Sequence, residues 1–108
     1  MTNRQVYKLH ADFCKFMGNP KRIQIIFMLG NGEKCVEDIA KEMKSKMPNI
    51  SQHLAMMRER NIVQTRRDGV KLYYRLSNPK ILKACIIMRD LMIQQLNKKT
   101  SVIKKDAG

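Results

Sequence analysis

Residues 62–75 read Ile62-Val63-Gln64-Thr65-Arg66-Arg67-Asp68-Gly69-Val70-Lys71-Leu72-Tyr73-Tyr74-Arg75, and their periodicity decides the fold. On either side of Asp68-Gly69 the side chains follow a period of two. Asp-Gly is a dipeptide favoured in two-residue hairpin loops, because such loops need positive φ. The stretch predicts a basic β-hairpin. Immediately upstream the period is 3.6. Val36, Ile39, Ala40 and Met43 share one face of a helix beginning near Glu33. After the Lys44-Ser45-Lys46 turn, Ile50, Leu54 and Met57 share one face of another. Helix, short turn, helix and basic hairpin, in that order, predict a winged helix-turn-helix whose second helix is placed for the major groove of duplex DNA.

Toward the N-terminus, Val6, Leu9, His10, Phe13, Cys14 and Met17 form a mostly apolar helical stripe ended by Gly18-Asn19-Pro20. Asn19 then caps a second helix with Pro20 at its first position. Ile23, Ile25, Ile26, Phe27 and Leu29 follow until Gly30-Asn31-Gly32. Toward the C-terminus, Asn78-Pro79 repeats the device. It opens a last helix whose Ile81, Leu82, Cys85, Ile86, Met88, Leu91, Met92, Ile93 and Leu96 cover more than one face. A chain this small hides one such stripe, so the surplus predicts a homodimer joined through its first and last helices. The fold class is therefore mainly α with a small β-hairpin, about five helices and a two-stranded wing. Residues 1–97 form one DNA-binding and dimerisation domain, and 98–108 a basic, disordered tail.

In 108 residues, 22 Lys and Arg oppose 9 Asp and Glu, leaving +13, a field that attracts polyanions. Between Lys41 and Arg75 nine basic residues face three acids, Glu42, Glu59 and Asp68, so nearly half the excess sits on the helix-turn-helix and wing. There is no signal-peptide core and no apolar run near ~20 residues, which predicts a cytoplasmic chain without a membrane partner. Three widely spaced cysteines, Cys14, Cys35 and Cys85, fit reduced thiols better than a disulfide framework. With two His, no Gly-rich phosphate loop and no H-E-x-x-H, the sequence argues against an enzyme.

Burial of Ile50, Leu54 and Met57 leaves Pro48, Asn49, Ser51, Gln52, Ala55 and Arg58 outward on the second helix of the pair. Ser51 and Gln52 are the expected base readers. Lys46 and His53 complete the expected contacts on that helix, and Arg66, Arg67 and Lys71 of the wing are expected on phosphates.

Four segments together resemble the ArsR/SmtB family of prokaryotic repressors. They are Asn19-Pro20-Lys21-Arg22, Cys35-Val36-Glu37-Asp38-Ile39-Ala40, Ile50-Ser51-Gln52-His53-Leu54 followed by Arg58, and Arg66-Arg67-Asp68-Gly69 with Tyr73-Tyr74-Arg75-Leu76. The resemblance covers about residues 5–96. It implies a homodimer joined through first and last helices, a sequence-specific repressor on an imperfect palindromic operator, and release by a bound or reactive effector.

The effector is less legible. Many relatives carry Cys-Val-Cys where this chain has Cys35-Val36-Glu37, and the zinc site that others build on the last helix lacks its His here, with Asp90 the only acid. Cys35, Cys14, Cys85 and His10 remain as candidate ligands or reactive groups. Three thiolates suit a soft metal or metalloid ion as effector, whereas zinc would need a fourth ligand. Cys14 and Cys85 could equally pack as small hydrophobes or oxidise to a disulfide. Cys35, opening a helix beside Lys34, has the best electrostatic case for a reactive thiolate open to redox or reactive sulfur species. DNA binding itself requires no cofactor, and the methionines read as core rather than as copper ligands. Two alternatives stand beside this reading: the same repressor without a metal or thiol sensor, and a basic architectural protein binding nucleic acid without sequence preference.

Overall fold

Asn19 accepts hydrogen bonds from the backbone N–H of Lys21 and Arg22 at 3.0 and 3.3 Å, so α2 (Pro20–Leu29) starts where the Asn-Pro pair places it. The structure is a computed structural model of the single chain, describing residues 1–107, with side chains described through Lys99. α1 (Asn3–Met17) opens on a reciprocal cap, Thr2 accepting from the Gln5 N–H and Gln5 from the Thr2 N–H. β1 (Lys34–Cys35), α3 (Val36–Met43), α4 (Met47–Glu59), β2 (Val63–Asp68), β3 (Lys71–Leu76) and α5 (Pro79–Ala107) follow. Residues 1–77 form one unit and α5 belongs to another. Among the described residues no helix is long and apolar enough to cross a membrane. Where a disordered tail was expected over 98–108, the backbone continues α5 as far as Ala107, and the side chains beyond Lys99 lie outside those described.

The core confirms the helical periods. Ile25, Ile26 and Leu29 from α2, Ile39 and Ala40 from α3, Ile50, Leu54 and Met57 from α4, with Ile62, Val63 and Tyr74 from the hairpin, are all buried. Each large aliphatic side chain so removed from water contributes roughly 1.5–3 kcal/mol. Among the described residues this unit buries no charged side chain, and its polar atoms are satisfied.

The sheet differs from the expectation in three ways. Its order is β1-β3-β2, with Lys34 opposite Tyr74 and Cys35 opposite Tyr73, so residues expected to begin the third helix form a short strand instead. Two residues cannot display a period of two, and α3 starts only at Val36. The hairpin loop is Gly69-Val70, one residue later than expected, because Asp68 pairs with Lys71. Gly69 has φ 63°, and Val70 stands at the tip, 96% exposed. The third difference is at the base of the wing, where Ser77 donates from N–H to the Ile62 carbonyl (2.9 Å) and from Oγ to the Asn61 carbonyl (2.6 Å), a clasp that the periodicity does not reveal.

The expected stripe of α1 is not core in the single chain. Val6, Leu9 and Phe13 are exposed, and the α1 residue that is buried is Phe16. On α5, Asn78 accepts from the Lys80 N–H at 2.9 Å, and Ile87, Met88, Leu91, Met92 and Ile93 are exposed.

Candidate nucleic-acid interface

α4 carries the expected face. Ile50, Leu54 and Met57 are fully buried, which fixes the rotation of the helix and turns Pro48, Asn49, Ser51, Gln52 and Arg58 to solvent. Among the described residues, the Asn49, Ser51 and Gln52 side chains make no hydrogen bond within the chain, so their donors and acceptors are available to a ligand. Lys46 is the N-cap residue, exposed, with no side-chain cap of its own, and Pro48 lies in the first turn. Pro48 has no N–H and the Asn49 N–H donates to the Lys46 carbonyl at 3.1 Å, so the exposed Lys46 is what this helix start offers a phosphate.

His53, expected among the DNA contacts, differs from its neighbours in having a partner within the chain. Its ring is half-buried and Nδ1 accepts a hydrogen bond from Nε of Arg22 at 3.3 Å. Burial, with Arg22 and Lys21 nearby, holds its pKa below the ordinary histidine value. Arg22 reaches further: Nη1 donates to the Phe16 carbonyl (2.8 Å), Nη2 to Met56 Sδ (3.5 Å), and the guanidinium lies 4.0 Å from the Phe16 ring centroid. Arg60 covers the same ring at 4.3 Å while pairing with Asp12 at 2.8 Å. Phe16, three residues after Phe13 and seven after Leu9, borders the apolar stripe of α1, and the two cations that close over it are a contact that spacing alone does not show.

The wing divides its charges. Arg66 is not a free phosphate contact: it forks onto both oxygens of Glu33 and lies 5.0 Å over the Tyr73 ring. The Arg66 guanidinium holds the Glu33 carboxyl below its ordinary pKa, and Glu33 raises that of Arg66. The pair ties the wing to the segment before β1. Arg67 and Lys71 remain exposed, and because Arg67 pairs with Leu72 and Lys71 with Asp68, they stand on opposite faces of the ribbon.

The thiols separate by environment. Cys35 is 1% exposed, and burial pushes its pKa up, against the expectation of a reactive thiolate. The backbone dipoles at a helix start lower a thiol pKa only where water or a counter-charge can stabilise the anion, and Cys35 caps α3 from inside the core. Cys14 and His10 are exposed on α1. Cys85 on α5 is half-buried, and burial raises its pKa. Among the described residues of the single chain, no three His, Cys, Asp or Glu side chains come together as a metal site.

Comparison with known proteins accords with this geometry. The family model "Bacterial regulatory protein, arsR family" matches residues 19–65, from the start of α2 into β2. The HTH-type transcriptional regulator KmtR of Mycobacterium tuberculosis is 33% identical over 78 residues, 72% of this chain and 60% of that protein. Nodulation protein NolR of Rhizobium meliloti is 34% identical over 84 residues, 78% of this chain and 69% of that protein. The chain therefore spans rather less than two thirds of the length of KmtR and slightly more than that of NolR. The homodimeric winged helix-turn-helix DNA-binding domain of Mb0332 from Mycobacterium bovis superimposes with a TM-score of 0.75 at 26% identity, covering 89% of this chain and 91% of that one. The family match from α2 into β2, the identity with NolR and the winged helix-turn-helix architecture place the molecule among regulators rather than enzymes, and the chain belongs to the ArsR family of winged helix-turn-helix transcriptional regulators.

Proposed function

We propose that this chain is a homodimeric repressor that reads an imperfect palindromic operator with two copies of α4 in successive major grooves. The observation that carries this is the exposed, internally unbonded set Asn49, Ser51 and Gln52, held outward by the fully buried Ile50, Leu54 and Met57. Exposed Lys46, Arg58, Arg67 and Lys71 supply phosphate contacts around that set. The homodimeric state of the Mb0332 domain and the exposed apolar residues of α1 and α5 support assembly into a two-fold dimer. Repression follows by occlusion of the promoter, and an effector lifts it by binding more tightly to a dimer geometry with the wrong helix spacing. Cys14 is the effector-responsive thiol in this reading, because it is exposed at the edge of the α1 stripe whereas Cys35 is sealed in the core.

Fluorescence-anisotropy titration with DNA from the chain's own promoter region and with random duplex tests the assignment. Gln52→Ala should cost about 1–3 kcal/mol on the operator and relax specificity, whereas Arg67→Ala should weaken all sequences alike. Equal losses on both DNAs for both variants would make this an architectural protein. Arsenite, cadmium, polysulfide or peroxide should release the operator complex of the wild type and not that of Cys14→Ser; release that survives the substitution removes Cys14 from the mechanism.

A further inference from the structure

Arg22 joins three parts of the molecule. Its Nη1 occupies the Phe16 carbonyl, one of the last carbonyls of α1, which has no partner further along its own helix. Its Nη2 reaches Met56 and its Nε reaches His53, three residues apart on α4. The fork is rigid and planar, so these contacts are made in one geometry or lost together. His53 directly follows Gln52, and a rotation of α4 that breaks the contact also re-aims Gln52.

The contact constrains the histidine. An N–H donor can point at Nδ1 only if that nitrogen carries a lone pair, so the ring must be neutral with its proton on Nε2. A second proton would set two cations facing each other at 3.3 Å. The charged groups around the ring offer no relief: Lys21 and Arg22 face it from α2, while Asp12 of α1 is engaged by Arg60.

We infer that Arg22 is a positioning residue for sequence reading, holding the recognition helix to the α1–α2 corner through the neutral ring of His53. Discrimination between operator and random DNA depends on this contact, and weak general affinity for duplex does not, because phosphate attraction tolerates a misaimed helix. The inference rests on the DNA-reading function proposed above. Protonation of His53 therefore lowers the ratio of operator to random affinity while leaving random binding intact or stronger.

The test is anisotropy on both DNAs with the whole chain between about pH 8 and about pH 4.5, a window carried well below the ordinary histidine value because burial, Arg22 and Lys21 lower that of His53. Wild type should lose about tenfold in the affinity ratio toward the acid end, the worth of one charge-assisted hydrogen bond. His53→Asn places an amide oxygen near the position of Nδ1 and does not titrate, so it should keep the ratio and flatten its pH profile. Arg22→Lys, with circular dichroism unchanged, should show the low ratio at every pH. If His53→Asn titrates like wild type, or Arg22→Lys discriminates like wild type, the positioning role is wrong while the DNA-reading function survives. If the wild type fails to discriminate at any pH, that function fails and this inference with it.

Discussion

Cys35 shows how a residue legible as a position can be illegible as chemistry. Sequence places it at a helix start beside Lys34, both of which lower a thiol pKa, and the structure keeps the cap while removing the solvent that would make it matter. What the sequence could not carry is that Lys34 and Cys35 pair across to Tyr74 and Tyr73, some forty residues away. Phe16 is the complementary case: its spacing from Leu9 and Phe13 sets it at the border of the α1 stripe, and the convergence of Arg22 and Arg60 on its ring was not legible. Ile50, Leu54 and Met57 were legible because a helical period needs no distant partner to be read. Alkylation of the native chain under reducing conditions should then label Cys14 at least about ten times faster than Cys35, since the reagent reaches the exposed thiol and not the one sealed in the core. A raised folded pKa also means that Cys35 supports stability below the ordinary thiol pKa and loses that support as pH rises through the raised value. Urea midpoints that fall toward alkaline pH in wild type and fall less in Cys35→Ala would show it; equal labelling rates with parallel midpoints would contradict it.

At the level of elements, the exits from the two helices of the helix-turn-helix make an instructive pair. Asn61 (φ 59°) ends α4 in the left-handed region, as asparagine often does. Lys44 ends α3 at φ 51° and ψ 41°, donating to the Ala40 and Lys41 carbonyls, with no side-chain feature that marks it. The helix–turn–helix was therefore legible from its flanking periods, and the conformation of its turn was not. The same holds for the wing, where alternation fixed both long strands but the loop slid one residue to put Gly69 at positive φ. Lys44→Gly should raise stability by about 1 kcal/mol, the approximate cost of a left-handed Cβ. It should also weaken DNA binding slightly on every sequence, because a cation beside α4 is lost. Urea denaturation and anisotropy read the two effects separately, and a destabilised variant would show that Lys44 makes contacts outweighing its strain.

For the whole molecule, charge and apolar surface point to two different partners. The excess of +13 directs the chain to a polyanion, and the exposed Val6, Leu9 and Phe13 of α1, with Ile87, Met88 and Leu91 of α5, direct it to another protein surface. In the function proposed above a second copy would reconcile them, since two-fold symmetry would pair like apolar patches and present two α4 helices to one face of the duplex. Composition and patterning predict this architecture, and what the single chain supplies toward it is the exposed apolar residues on α1 and on α5. The proposed effector site was not legible, because a site shared between subunits would depend on distances that no single sequence contains.

Hydroxyl-radical footprinting of the chain on its own upstream DNA tests that account most directly. Two protected patches on one face of the helix, centred about 34–36 Å apart, are expected of paired recognition helices in successive major grooves. A single patch, or even protection along the whole fragment, would contradict it.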